Sequence, residues 1–305
     1  MEFDTVVIWG HPLHSHTHSY IHQAFQRAFD YLRYKWYWLD DEKPFKEYGI
    51  KLPNKCLYIT EGNVSKNIIL NPESYYVLHN CDLKKYKEAG IPDTHILTLQ
   101  VFTKSCIPHS VPLQDSEFIR FDGKTLYMPW GSDLHPHEID DNIAKLEIIS
   151  KSYKQVCHFV GMMLDNPWKR CQEECMKHNI TFSSVGGFSK NNISLEENMK
   201  RVQEAIIAPA FQEPWQVEHG YIPCRIFKNI GYGKMGITNN ETVQELFGGR
   251  LIYDKDVKSA TSKAIEYVKK GEDVELLKSL MIEVRDKHTY INRVKNIFEA
   301  FSRLK

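Results

Sequence analysis

Short apolar runs, each ended by a turn and separated by stretches of helical period, constrain this chain more than any other feature. Val6-Val7-Ile8-Trp9 stops at Gly10 and suits a strand buried on both faces. Residues 19–32 follow with Ile21, Phe25, Ala28, Phe29 and Leu32 on one helical face. Residues 36–39, 55–60, 75–78 and 95–102 read as further strands, and 118–123 as a hairpin edge. Alternation of this kind predicts a parallel sheet covered by helices, with ligands at the carboxyl ends of the strands. The loops after Trp9, Leu39, Thr60 and Leu78 are therefore where function is expected.

The run Pro129-Trp130-Gly131-Ser132-Asp133-Leu134-His135-Pro136 is rich in turn formers and marks a boundary. The pattern then restarts. A helix is expected over 139–150 and a strand over 155–160, ended by Gly161. Asn166-Pro167 reads as the cap and first residue of a helix to about 177. Strands are expected at 180–185, ended by Gly186-Gly187, and at 204–208. After a loop over 211–222, a helix at 223–232 precedes strands at 235–238 and 251–253. Residues 257–305 have helical period, broken near Gly271-Glu272-Asp273. The fold class expected is α/β: two Rossmann-like domains, 1–133 and 134–305, facing a cleft, with C-terminal helices.

Composition narrows the partners. The chain has 305 residues, enough for a sizeable core without disulfides or metal. Its 39 basic and 39 acidic residues give a formal net charge of +0. That argues against nucleic-acid binding through bulk charge, so no nucleic-acid partner is expected. Seven cysteines, with no Cys-x-x-Cys pair, read as free thiols of a reducing compartment. Cys171 and Cys175, four apart on a helix, read as two half-buried thiols rather than a zinc pair. MEFDTVVIWG has no basic leader, and no apolar run reaches the about 18 residues of a membrane span. A cytoplasmic location is expected.

Two segments carry chemistry. Gly10-His11-Pro12-Leu13-His14-Ser15-His16-Thr17-His18-Ser19-Tyr20-Ile21-His22 holds five of the 14 histidines. It follows the first strand and leads into a helix. His16 and His18, nearest the helix start, suit a general base. The competing reading is a metal-dependent hydrolase, which would recruit ligands such as His79, Asp82, His109, His135 and His137. Asp82, after His79-Asn80-Cys81, is a candidate base or acceptor contact, or simply a helix cap; Glu61 is a similar candidate. The second segment is Pro223-Cys224-Arg225-Ile226-Phe227-Lys228-Asn229. Arg225 and Lys228 lie three apart in the first turns of a helix, where cations oppose the macrodipole unless an anion is bound. They are read as an anion site, with solvated surface charge as the alternative. Lys169 and Arg170, early in another helix, are a second candidate phosphate pair.

The run from Gly220 to Thr238 (Gly-Tyr-Ile-Pro-Cys-Arg-Ile-Phe-Lys-Asn-Ile-Gly-Tyr-Gly-Lys-Met-Gly-Ile-Thr) resembles the donor-binding segment of GT-B glycosyltransferases. The likeness is to their group-1-like or spore-maturation-type C-terminal domains. Tyr127-Met128-Pro129-Trp130-Gly131-Ser132-Asp133 resembles that family's hinge, and His158-Phe159-Val160-Gly161 its first donor-domain strand. Leu251-Ile252-Tyr253-Asp254, His288-Thr289-Tyr290 and Arg293-Val294 resemble later pieces in the same order. Over the first 120 or so residues the resemblance is topological only. It implies a metal-independent enzyme that moves a sugar from a UDP- or GDP-sugar to an acceptor hydroxyl, with no permanently bound cofactor. Arg225 would contact the diphosphate, and Gly220 and Tyr221 would present backbone N–H groups to it. Asn229 belongs to the same run and the same expected site. The family's ribose-binding acid is replaced by Lys228, so Lys228 is read as a phosphate ligand and Gln216 or Glu218 as the substitute acceptor. That replacement also leaves open a non-catalytic nucleotide- or glycan-binding protein. The last helix is expected to pack back on the N-terminal domain.

Overall fold

The structure, a computed structural model, describes residues 1–114, 116–149, 153–161, 166–186 and 192–304. Gly187 and Ser150, which end an expected strand and an expected helix, lie outside the described residues. The chain divides into two compact units, 1–129 with 290–305, and 130–289.

The first unit opens with β1 (Thr5–Trp9), α1 (Ser19–Tyr31), β2 (Trp36–Leu39), β3 (Cys56–Glu61) and β4 (Tyr75–His79). Next come α2 (Leu83–Glu88), β5 (Ile96–Gln100), β6 (Val111–Leu113), β7 (Ser116–Phe121) and β8 (Thr125–Tyr127). The strands form one sheet in the order β2-β1-β3-β4-β5-β8-β7-β6. Only the β6–β7 and β7–β8 pairings are antiparallel, which makes the expected hairpin edge. Val7, Trp9, Tyr58, Tyr76 and Leu78 share one core cluster, with Tyr58 and Tyr76 stacked at 4.8 Å. Val6 and Ile8, of opposite side-chain parity, are as fully buried, so β1 is covered on both faces. Each such side chain contributes about 1.5–3 kcal/mol by leaving water. Because β1 has β2 on one side and β3 on the other, both parallel, the strand order reverses at β1. Loops leaving the strands at such a switch point diverge and open a crevice at their carboxyl ends.

The second unit begins with α3 (Pro136–Ala144) and α4 (Leu146–Ile149), so the helix expected over 139–150 is broken at Lys145. Next come β9 (Lys154–Val160), α5 (Asn166–Lys177), β10 (Thr181–Val185), α6 (Leu195–Glu204) and β11 (Ala205–Ile207). The unit continues through α7 (Pro214–Glu218), α8 (Cys224–Gly231), β12 (Ile237–Thr238), α9 (Glu241–Leu246), β13 (Ile252–Tyr253), α10 (Val257–Lys270) and α11 (Val274–Lys287). Strands β10-β9-β11 are all parallel, so the order again reverses at the first strand. Cys157, Cys171 and Cys175 are fully buried in the core of this unit with Phe159, Trp168 and Ile206. The two thiols of the helix are therefore more deeply buried than the sequence suggested.

The last helix, α12 (Tyr290–Arg303), belongs to the first unit. It lies against α1, where Tyr290 meets the Phe25 ring edge-on at 4.9 Å. The chain's return at 288–289 is held inside the second unit. Ser132 N–H donates to His288 O at 2.7 Å, and a Cβ on Gly131 would sit 2.8 Å from that same oxygen. No helix among the described residues is long and apolar enough to cross a membrane.

Candidate functional site

The histidine string lies at the switch point of the first sheet. β3 and β4 pair in a register that sets Glu61 opposite His79. The loop after β1 returns to the same place. His18 Nδ1 lies 2.9 Å from Glu61 Oε2, and His79 Nε2 lies 3.9 Å from that oxygen. Glycines make this convergence possible: a Cβ on Gly10 would lie 2.1 Å from His22 Cε1, and one on Gly62 would lie 1.7 Å from Asn80 O. His14 and Asn80 both take left-handed backbone conformations (φ 70° and 55°), a local strain held in place by the surrounding loops. His79 Nδ1 lies 3.3 Å from Leu99 O, so the ring proton is assigned to Nδ1. Nε2 then accepts from Asn80 Nδ2 at 3.1 Å.

Electrostatics follow from burial. Burial alone would raise the Glu61 pKa, but contact with His18, then the charges of His18 and His79, hold it below the usual carboxylate value. Glu61 is thus a buried carboxylate facing imidazoles. Burial lowers the pKa of His11, His16 and His79, and takes His22 down to about 3. His22 is buried and neutral, with its ring filling the space that Gly10 leaves. His16 Nδ1 accepts from the His18 backbone N–H at 3.2 Å and stacks on His11 at 4.1 Å. His16 therefore shapes the loop that presents His18. Asp82 is exposed and caps α2, accepting from Lys84 N–H at 3.0 Å. His109 lies in an exposed loop, and His135 and His137 stand at the start of α3 in the other unit.

Arg225 occupies the matching place in the second sheet. Its Nε donates to Val160 O, the last carbonyl of β9, at 2.7 Å. Its guanidinium lies over the Phe159 ring, 4.0 Å from the centroid. A Cβ on Gly161 would sit 2.4 Å from Arg225 Nη2, so only glycine lets the guanidinium reach this position. Burial lowers the Arg225 pKa to about 10, which leaves it charged at neutral pH. Among the described residues no carboxylate pairs with it, and its Nη groups make no hydrogen bond. The N–H groups of Cys224 and Arg225, the first of α8, have no acceptor among the described residues either.

Most of the other expected donor contacts are occupied within the protein. Lys228 Nζ lies 2.7 Å from Asp133 Oδ2, whose Oδ1 accepts from Tyr232 OH at 2.8 Å. Burial would lower the Lys228 pKa, but Asp133 raises it above the usual value. Its charge is therefore matched by a residue of the turn-rich boundary. Gly220 N–H donates to Val217 O and Tyr221 N–H to Gln216 O, at 3.1 and 2.9 Å. With Gly220 at φ 67°, this is a Schellman ending of α7, and neither N–H is open to a ligand. Gln216 closes the capping box of α7, accepting from Glu213 N–H at 3.2 Å. Asn229 Nδ2 donates to Ala208 O at 2.7 Å, which ties α8 to the end of β11. Glu218 and Lys169 are exposed, and Arg170 pairs with Asp256.

Three residues that sequence reasoning passed over hold these sites. Asn240 Nδ2 donates to Gln212 Oε1 and Tyr221 O, both at 2.9 Å, and so latches the segment before α8. Gln212 Nε2 adds a bond to Tyr221 O at 2.6 Å. Asp41 accepts from Trp9 Nε1 at 3.0 Å and Lys66 N–H at 2.7 Å, and so joins the loops after β2 and β3. Amides and acids beyond strand ends are the signal that could have marked them.

No protein-family model and no curated protein matches the sequence. Solved structures do match. An alpha-glucosyltransferase in complex with UDP shares 10% identity over 98% of this chain and 99% of its own, with a TM-score of 0.55. An alpha-glucosyltransferase in complex with UDP and a 13-mer DNA shares 8% identity over the same 98% and 99%, with a TM-score of 0.62. The second complex holds DNA, so the expectation of no nucleic-acid partner, drawn from net charge, has no support in the fold. The chain has the α/β, two-unit Rossmann-like fold of these GT-B glycosyltransferases along nearly its whole length.

Proposed function

We propose that the chain transfers a sugar from a nucleotide-diphosphate sugar to an acceptor hydroxyl, with no resident metal. Arg225 carries this reading: a charged guanidinium with no carboxylate partner among the described residues, fixed at the carboxyl end of β9 beside the start of α8. Its Nη donors and the first α8 N–H groups suit diphosphate oxygens, and they would stabilise the diphosphate as it departs. This assigns the donor to the 130–289 unit and the acceptor to the histidine loop. UDP is the first donor nucleotide to test, because both alpha-glucosyltransferase structures contain it; GDP is the alternative.

His18 is assigned the proton chemistry. A carboxylate at Nδ1 favours the tautomer with the proton there, which leaves Nε2 to accept. In a single displacement the acceptor oxygen bonds to the anomeric carbon as the bond to the diphosphate oxygen breaks. The hydroxyl proton passes to His18 Nε2, and the resulting imidazolium faces Glu61. A thermal-shift panel of UDP, GDP, TDP and CMP sugars, with and without EDTA, tests the donor half of this reading. A shift specific to one nucleotide and insensitive to EDTA supports it. A shift that needs metal and shows no nucleotide preference would favour the hydrolase. Nucleotide binding without transfer to any acceptor, DNA included, would favour a non-catalytic binding protein.

A further inference from the structure

Two atoms of the histidine cluster are left over from ordinary hydrogen bonding. His18 Nδ1 is buried 2.9 Å from Glu61 Oε2 without making a hydrogen bond of good geometry. Glu61 Oε1 is also buried without a hydrogen-bond partner. Groups that pair with each other aim at each other; metal ligands aim at a shared point. His18 Nδ1, a Glu61 carboxylate oxygen and His79 Nε2 all lie within 4.8 Å of one another. The separations of 2.9 and 3.9 Å to Glu61 Oε2 bracket the about 3.3–3.6 Å ligand-to-ligand edge of a tetrahedral ion with bonds of about 2.0–2.2 Å, so small side-chain shifts would close the site around one. His79 is already oriented for this role: Nδ1 faces Leu99 O, which leaves Nε2 as the ring's acceptor near Glu61, where an ion would take the place of its bond from Asn80 Nδ2 at 3.1 Å. His18 is partly exposed, with 24% of its side chain accessible, so an ion has a way in.

We propose that His18 Nδ1, Glu61 and His79 Nε2 form a site for a divalent ion of the zinc type, and that occupancy switches off the base at His18. The switch is a matter of tautomers. A neutral imidazole carries one ring proton. When an ion takes the Nδ1 lone pair, that proton must sit on Nε2, and Nε2 changes from acceptor to donor. The inhibitory part rests on the transferase reading above; the metal site does not.

The test begins with the full chain stripped of metal and titrated with Co²⁺. A visible d–d band saturating at about one ion per chain is expected. Glu61→Gln or His79→Gln should weaken Co²⁺ by about 100-fold or more. His22→Leu and His135→Gln should leave the band intact. Because Glu61 and His79 are buried, a second measurement uses the unaltered protein. Zn²⁺ should shield His18, but not the exposed His14, from carbethoxylation mapped by peptide mass. Absence of a stoichiometric band, its loss in His135→Gln, or equal modification of His18 with and without Zn²⁺ would overturn the site. With the site established, Zn²⁺ should lower transfer by about 100-fold, and EDTA should restore it. A Zn²⁺-dependent rise in transfer would overturn the switch while leaving the site in place.

Discussion

The carboxyl ends of β1 and β9 hold the same position in two sheets of the same local order, yet they are lined with opposite materials. Beyond β1, imidazoles surround a buried carboxylate whose pKa is held down by them. Beyond β9, one guanidinium stands over an aromatic ring with no acid paired to it among the described residues. A switch point supplies only a crevice at strand ends. The side chains returned to it decide what the crevice does. Glu61 sets a carboxylate against the His18 and His79 rings, and Arg225 presents a fixed set of donors. Glycine is the common device: Gly10 and Gly62 admit the rings, and Gly161 admits the guanidinium.

Substitutions can break this contrast. His18→Ala should lower transfer by about 10²–10⁴-fold, the usual contribution of a general base, with nucleotide affinity kept. Steady-state kinetics beside calorimetry checks this. An unchanged rate would move the proton to the departing phosphate and remove His18 from the chemistry. Arg225→Ala should weaken nucleoside-diphosphate binding by about 1.5–3 kcal/mol. Lys228→Met sharpens the comparison within the second unit. Because Lys228 serves Asp133, nucleotide affinity should hold while urea unfolding shows a loss of about 1–3 kcal/mol. A large affinity loss would restore Lys228 as a phosphate ligand.

A further effect concerns pH. The folded-state pKa of His22 is about 3 against an ordinary 6.5, so between these values the unfolded chain binds more protons. The contribution of His22 is complete above pH 6.5 and is lost as pH falls toward 3. His22→Leu should flatten the fall in stability over that window without abolishing it, because His11, His16 and His79 are also shifted down. Acid denaturation followed by circular dichroism would show the change. An identical acid profile in the variant would remove His22 as a buried neutral ring.

Much of the architecture was legible in the sequence, because buried parallel strands leave short apolar runs ended by glycine or acid. Val6 to Trp9, with Gly10 behind them, is the clearest case. Helix α6 was passed over because Leu195–Glu204 is mostly polar and fully buries only Val202. The five-residue α7 was hidden in an expected loop. The break at residues 288–289, which separates α11 from α12, was not seen either, since both flanks keep helical period. The candidate site was legible as segments and not as directions. A glycine-led run before a helix marked the α8 region, yet the Gly220 and Tyr221 N–H groups turn back into α7. Arg225 and Lys228 look equivalent at three residues apart; among the described residues the structure gives Lys228 an acid and Arg225 none. Glu61 and His79 meet only through the β3–β4 register, which no local pattern encodes.

The central claim is that nucleotide binding and proton chemistry reside at separate strand ends. The most direct measurement is calorimetric titration of the preferred nucleoside diphosphate into the original protein, Arg225→Ala and His18→Ala under one buffer. Affinity should fall about tenfold or more in Arg225→Ala and stay within about twofold in His18→Ala. Equal losses in both, or a loss confined to His18→Ala, would contradict the division.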